Sequence, residues 1–477
     1  MGKTKSAVIW SAIDRFSVQG AQFFLSVVIA RLVSPADYGL IAMLNVFLSV
    51  AQQFIDSGFS TALIQKRDRQ EVDFYTVFYF NLIISLAIYG VLFLISPYIA
   101  DFYSEPRLEL ITKCTGLNIV LIAFYIVPRA KFTIELDFKT QTKISLIAVL
   151  LSGIIGVLLA WYGCGVWALI LQCLLNNLFS LLLYWGISRW KLKPKFSYYS
   201  FKYLFRFGSN LLGVGILHAI FANIYTLVIG RLFVATEVGF FNRSQSFATF
   251  PSMNISSMIA RALYPIQCEM QTNDEQLKEI LVKYLKMTLY VVLPLMMGLC
   301  VLSKPFIAIV LAERWLPMAK MLSVLCIAYM CYPFTTLNWQ ILTVKGRTDL
   351  ALRAEVFGKS ASFIILLLSL PFGAMGICYG IIIANIVDIL IIIYYVKRVL
   401  SITYLLELKI LLPTLTITII MGVMVSFVHL IFENSYLQIL IGSLIGLIIY
   451  IGLSYLFDFD EFRGILSVVN RKRNGKK

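Results

Sequence analysis

Charge is scarce in this chain. Only 14% of its 477 residues are Asp, Glu, Lys or Arg, where a soluble domain carries about a quarter. With 60% hydrophobic residues and a mean hydropathy of +0.84, too few polar side chains remain to cover an ordinary water-soluble surface. Chemical motifs are scarce as well. The eight cysteines form no C-x-x-C pair and fall mostly inside apolar runs, so they read as free packing residues. Cys164, which lies outside the runs, has no evident partner. There is no cluster with metal-ligand spacing, no nucleophile motif and no glycine loop shaped to cradle phosphate. No metal or cofactor is therefore expected, and ATP hydrolysis by this chain is not expected.

What is there is a succession of long apolar runs, such as "ILIGSLIGLIIYIGLSYLF" at 439–457. A helix needs about 20 such residues to cross the roughly 30 Å of a bilayer core. The runs predict spans at 8–32, 36–62, 74–96, 108–128, 144–162, 166–188, 209–232, 238–265, 284–302, 319–343, 352–370, 377–396, 410–431 and 437–457. The expected class is an all-α polytopic membrane protein of about 14 transmembrane helices. An even number of spans puts both termini on one side. Most of the 41 Lys and Arg lie in the termini and in the loops on that side, which predicts cytoplasmic termini. The net charge of +16 is then topology and lipid-headgroup contact, and nucleic acid is not an expected partner. No cleavable signal precedes the first span, so that span is expected to stay. "MGKTKS" matches a myristoylation pattern, but a lipid tail would add nothing to so many spans.

The sequence also repeats. "VIARLVSPADYGL" (28–40) is answered by "VIGRLFVATEVGF" (228–240), "SPYIA" (96–100) by "KPFIA" (304–308), and "YGCGVWALIL" (162–171) loosely by "GAMGICYGIII" (373–383). Spans one to six and seven to twelve read as two copies of one six-helix unit in the same orientation, a parallel pseudo-twofold. The expected organisation is an N-terminal lobe (1–188), a basic cytoplasmic linker (189–208), a second lobe (209–400) and a C-terminal part (401–477) with spans thirteen and fourteen and a basic tail.

Four spans carry polar residues at helical spacing. Ser11, Arg15, Gln19, Gln22 and Ser26 share one face of the first span, and Asn45, Ser49, Gln52, Asp56 and Ser60 one face of the second. Asn242, Gln245, Thr249, Ser252 and Ser256 do so in the eighth. Asn210, His218, Asn223 and Thr226 spread over a wider arc of the seventh. An Arg at the centre of a membrane helix costs roughly 2.5–3.5 kcal/mol, so such stripes should face protein or water. Interhelical glue is the simpler reading of one or two amides. Stripes at equivalent places in both copies point to a water-filled cavity between the lobes.

The hairpin "VVIARLVSPADYGLIAMLNVFLSVAQQFIDSGFSTALIQKRD" resembles the first two helices of Wzx-type polysaccharide flippases, of the multidrug, oligosaccharidyl-lipid and polysaccharide exporter superfamily. "AKFTIELDFKTQTKIS" (130–145) resembles the stretch after their fourth helix. The resemblance implies movement of polyprenyl-diphosphate-linked oligosaccharide from the inner to the outer leaflet of a bacterial inner membrane. Assembly into capsule, O-antigen or exopolysaccharide would follow, with the polymerase machinery as a further partner beside membrane lipids.

A diphosphate calls for cationic donors, and Arg offers planar, bidentate ones. The candidate substrate residues are Arg15, Gln19, Gln22, Gln52, Asp56, Arg243, Gln245 and Arg261. Arg15 and Arg261 would sit near the inner mouth and Arg243 near the outer. Pairing with carboxylates is the alternative for each, and Asp56 reads as such a partner. Arg31 and Arg231 end the first and seventh spans, with Asp37 and Glu237 six residues on. These four form either a hairpin clamp or a substrate contact. His218 and Asp388 read as groups satisfied by neighbours. Pro251, Pro294 and Pro333 should kink their spans, and Gly376/Gly380 and Gly442/Gly446 read as close helix packing.

Two other transporters share this architecture: a cation-coupled multidrug exporter and a lipid II flippase. The exporter should present carboxylates to its cavity, whereas these stripes hold more Arg than Asp or Glu. A membrane polymerase or glycosyltransferase needs acid–base residues on a sizeable outer loop, and the longest here (303–320) offers one carboxylate, Glu313.

Overall fold

The computed structural model describes residues 2–56, 63, 66, 68–188 and 190–463; the side chains of 2–16, 56, 206–211 and 214 are not among those described. The described residues form helices and connecting turns, with no strand. Apolar runs of this length fold as helices because a bilayer offers the backbone no hydrogen-bond partner but itself.

The helices run α1 (Gly2–Leu32), α2 (Pro35–Asp56), α3 (Glu71–Tyr103), α4 (Arg107–Ile134), α5 (Phe138–Trp161), α6 (Val166–Ser188), α7 (Tyr198–Leu232), α8 (Ala235–Glu269) and α9 (Asp274–Val301). After the short α10 (Ser303–Val310) come α11 (Met318–Met330), α12 (Tyr332–Val344), α13 (Thr348–Ser369) and α14 (Gly373–Val396). The chain closes with α15 (Tyr404–Ser426), the single turn α16 (Val428–Ile431) and α17 (Ser435–Leu456). Eleven described stretches are long and apolar enough to cross a membrane, and the chain is a multi-pass membrane protein. One of the eleven, Thr348–Val396, takes in both α13 and α14.

Three features depart from a plain reading of the hydropathy. The 35 residues of α8 are not among the apolar stretches, because polar and charged residues recur along it from Asn242 to Arg261. The tenth expected span is two helices, broken at Cys331, with Pro333 in the first turn of α12. Proline lacks the N–H that would continue the ladder, so it starts a helix more readily than it sits inside one. Pro251 and Pro294, by contrast, lie within unbroken α8 and α9. The stretch 303–320 is not open loop: it holds α10 and a 3-10 turn at Glu313–Trp315, with Trp315 fully buried.

The chain packs as two compact units, 1–239 and 240–477. This boundary reflects spatial packing and falls inside α8, whereas the repeat is a property of the sequence. In the first unit α3 pairs with α4, α1 and α6 flank α5, and α2 lies along α7. Asn118, Asn177 and Tyr125 form a buried polar chain there: Asn177 Nδ2 donates to Asn118 Oδ1 (2.7 Å) and the Tyr125 hydroxyl to Asn177 Oδ1 (3.0 Å). In the second unit α9 packs on α11 and α15, and α13 on α14. The last two long helices are fixed to this unit, since Tyr450 of α17 donates to the Tyr290 carbonyl of α9 at 2.7 Å. Asn338 of α12 donates to the buried Glu407 of α15, also at 2.7 Å. The small residues close helix pairs: a Cβ on Gly380 would meet Ser369 at 2.9 Å, and one on Gly442 would meet Leu302 at 2.9 Å.

Candidate functional site

On the polar faces of the first unit, the structure brings the second and seventh expected spans together. Asn45, Ser49 and Gln52 are half-buried on α2. Asn223 of α7 donates to Ser49 Oγ at 3.5 Å and to the carbonyl of Ala219 at 2.9 Å. Gln53, beside the stripe, lies over Gly215, where a Cβ would come within 2.4 Å of its Oε1. Gln19 and Gln22 are exposed on α1, and His218 is exposed on α7. Arg15, Asp56, Ser11, Ser60 and Asn210 have side chains outside the described residues.

The eighth-span stripe divides into two faces. Gln245 donates to the Tyr329 hydroxyl at 2.9 Å and Ser252 to the Tyr329 carbonyl at 2.7 Å, both on α11. Ser244 donates to the Met318 carbonyl at 3.2 Å, and Ser252 and Ser256 are fully buried. This edge of α8 is an interhelical seam within the second unit, as hydroxyls and amides in hydrocarbon find partners on the neighbouring helix. Arg243 and Arg261 stand about 160° around the helix from Gln245, at 100° per residue. Arg243 is half-buried. Arg261 is exposed and folds back on its own helix, Nε to the Ser257 carbonyl at 3.1 Å and Nη2 to Ser257 Oγ at 3.4 Å.

The repeated hairpin turns meet each other at the end of the first unit where α1 and α7 finish. A Cβ on Gly39 of α2 would lie 1.7 Å from the carbonyl oxygen of Ala235, and one on Gly239 of α8 would lie 2.0 Å from that of Pro35. These are matching positions of the repeat, and only the absence of a side chain permits the approach. Behind them Tyr103, buried at the end of α3, donates to the Met43 carbonyl at 3.0 Å. Its ring fills the space beside Gly230, where a Cβ would meet Tyr103 Cε1 at 2.7 Å.

Of the four charged residues near these turns, Asp37 is held by Ser34, whose hydroxyl donates to Asp37 Oδ2 at 2.7 Å. The Asp37 N–H donates back to Ser34 Oγ at 3.2 Å, fixing the start of α2. Arg231 is exposed and lies over the Phe102 ring at 5.4 Å. Arg31 is exposed, and Glu237 is half-buried in the first turn of α8.

Sequence reasoning passed over Gly39, Gly239 and Tyr103. The glycines were in view as matched letters of the repeat, but a match does not announce a contact. Tyr103 gives no signal, being one of 25 tyrosines. The same holds for Tyr329, which receives the α8 seam. Among the described residues no group of three or more His, Cys, Asp or Glu could hold a metal.

Known proteins are similar to this chain in sequence and in fold. The chain is 27% identical over 436 residues to the lipopolysaccharide biosynthesis protein WzxC of Escherichia coli (strain K12), covering 89% of this chain and 88% of that one. It is 27% identical over 354 residues to the teichuronic acid biosynthesis protein TuaB of Bacillus subtilis (strain 168), covering 72% of each. In fold it is similar to the lipid II flippase MurJ in an inward closed conformation, with a TM-score of 0.76 at 18% identity over 96% of this chain and all of that one. A MATE family multidrug resistance transporter of the MOP superfamily, in an inward-facing conformation, gives 0.58 at 15% identity, covering 82% of this chain and 98% of that one. The polysaccharide biosynthesis protein family matches residues 28–320. The chain belongs to that family, and the resemblance of its first hairpin to Wzx-type polysaccharide flippases of the MOP superfamily holds.

Proposed function

We propose that this protein is a flippase that carries polyprenyl-diphosphate-linked oligosaccharide repeat units across the bacterial inner membrane by alternating access, for surface polysaccharide assembly. The observation that carries the reading is the two-sided α8. One face is tied to α11 by Gln245 and Ser252, while Arg243 and Arg261 stand on the opposite face. Arg243 is half-buried and Arg261 exposed; an arginine on a membrane helix is tolerated where protein, water or an anion answers its charge, and a diphosphate is such an anion. Arg15, Gln19, Gln22, Gln52 and Asp56 of the first unit are the further candidates for contact with the polar head. The polyprenyl tail stays in lipid, so only the polar head needs the protein.

The reading includes fourteen spans in two six-helix lobes with two added helices, and cytoplasmic termini. The eleven apolar stretches support that count once α13 and α14 are separated and α1 and α8 are added. The chain acts as a transporter and not as an enzyme. The close approach of Gly39 and Gly239 fits alternating access, since such a cycle needs a state in which one end of the hairpins is closed. The similarity to MurJ keeps a lipid II cargo as the second reading. A cation-coupled multidrug exporter fits an arginine-bearing helix less well.

Lipid mass spectrometry on host cells with and without the gene, upstream sugar assembly intact, tests the proposal. Polyprenyl-diphosphate oligosaccharide should accumulate without the gene and clear with it. Unchanged lipids with altered sensitivity to cationic drugs would assign the protein to drug export.

A further inference from the structure

At the end of α3 away from the glycine contact, the first unit carries a pocket that the transport path does not use. It has a volume of about 350 Å³ and lies between the start of α3, the end of α4 and residues 190–193. The linker is fastened over it: Tyr79 donates to the Lys193 carbonyl at 3.3 Å, and the Ser197 N–H donates to Thr76 Oγ1 at 3.0 Å. Trp190, buried, stacks on Tyr75 at 5.6 Å and 15° and donates its Nε1–H to Glu71 Oε2 at 3.1 Å. Lys131 donates to Glu71 Oε1 at 2.9 Å and sits 4.6 Å from the Phe74 ring centre and 5.3 Å from that of Trp190.

Glu71 is thus satisfied on both oxygens, and its charge is answered by Lys131. The remaining charged groups lining the pocket are Lys191 and Lys193, both exposed, and one carboxylate, Glu135. Lys193 also lies within the field of Glu71, so the lining holds three lysines against two carboxylates. A cationic surplus is left at the mouth. The depth of the mouth follows from its neighbours. The 33 residues of α3 make a helix of about 50 Å, longer than a hydrocarbon core of roughly 30 Å. Phe196, Tyr198, Tyr199 and Tyr203 are 52 to 80% exposed and alternate with Lys195 and Lys202. Aromatic rings interleaved with lysine sit at the headgroup layer, and basic pockets between membrane helices take acidic headgroups.

We infer that this pocket holds the headgroup of an anionic phospholipid of the phosphatidylglycerol type. The lipid phosphate is bound by Lys191 and Lys193, and the glycerol hydroxyls face Glu135 across the Trp190 wall. The occupant is a resident membrane lipid that secures the linker to the first unit; a polyprenyl diphosphate offers similar chemistry and is the competing source.

Native mass spectrometry of the delipidated full chain tests this, with phosphatidylglycerol or phosphatidylethanolamine of matched acyl chains added back. Wild type should retain phosphatidylglycerol preferentially, and Lys191→Gln/Lys193→Gln should lower that retention about tenfold. Lys278→Gln/Lys283→Gln, a charge-matched change on α9 outside the pocket, should leave it intact. Equal retention by wild type and the pocket variant overturns the site. Equal loss in both variants makes the binding a general basic-surface effect and also overturns it. Displacement of the bound phosphatidylglycerol by stoichiometric undecaprenyl diphosphate would assign the pocket to the transported lipid instead. Because both pocket lysines are exposed, thermal stability without added lipid should match wild type, which separates lost binding from lost folding.

Discussion

Gly39 and Gly239, two hundred positions apart and matched in the repeat, pack each against the other's helix start. A Cβ on the first would overlap the Ala235 carbonyl at 1.7 Å, and one on the second the Pro35 carbonyl at 2.0 Å. The contact is reciprocal, each glycine meeting the backbone at the start of the other's helix.

That reciprocity makes the glycines the first place to perturb the cycle. Gly39→Val or Gly239→Val adds carbon where a backbone stands, and overpacking of this kind costs about 1–3 kcal/mol. Such a penalty shifts a two-state equilibrium by roughly 5- to 150-fold. The closed conformation should lose population, and substrate should accumulate in cells at unchanged membrane level. Cysteines at Pro35 and Ala235 should cross-link less readily in either variant than in the parent. Undiminished cross-linking would show that the contact tolerates bulk.

Arg243 and Gln245 are two residues apart yet should behave differently. Arg243→Ala removes a charge-assisted contact of about 1.5–3 kcal/mol, so clearance of the lipid-linked oligosaccharide should fall at least about tenfold. Arg243→Lys should recover only part of it, since a point charge cannot replace a planar fork. Clearance and membrane level measured together distinguish lost transport from lost protein.

Gln245→Ala should instead lower stability with transport largely kept, because its amide is committed to Tyr329 at 2.9 Å. Tyr329→Phe should act in the same way, and the double variant should cost less than the two singles added together. Thermal unfolding in detergent reads all three; strict additivity would mean that the two residues do not interact.

Tyr103→Phe removes the hydrogen bond to the Met43 carbonyl, which retains its place in the α2 backbone. The loss should be about 0.5–1.5 kcal/mol. Tyr103→Ala also empties the space beside Gly230 and should cost about 3–5 kcal/mol, in line with other buried aromatic truncations. The ratio of the two unfolding shifts checks whether the ring or the hydroxyl does more.

The helices were legible because hydrocarbon forces the period: runs such as 439–457 leave no other choice. The division of α8 was half legible. Spacing put Asn242, Gln245, Thr249, Ser252 and Ser256 on one face with Arg243 and Arg261 nearby, and grouped Gln245 with the two arginines as substrate contacts; it could not say which of them meets protein. Tyr329 decides that, and a single tyrosine in an apolar run carries no mark of its partner. The break at Cys331 was signalled by Pro333, though Pro251 and Pro294 give the same signal inside helices that stay whole. Whether proline interrupts a membrane helix depends on neighbouring helices satisfying the freed carbonyl, which local sequence does not encode. The burial of Trp315 in the 303–320 stretch was missed because short amphipathic turns lie below the length at which a span is recognisable.

The most direct measurement is reconstitution. The purified chain would be placed in liposomes holding polyprenyl-diphosphate oligosaccharide in both leaflets, and a membrane-impermeant glycosidase added outside. Without protein about half of the lipid-linked sugar should be cleaved, set by the two leaflets; with wild type the inner pool should become accessible and cleavage should run towards completion, and with Arg243→Ala it should stop near the half. Cleavage stopping at the half with wild-type protein, at a density where every vesicle holds several copies, would contradict the account.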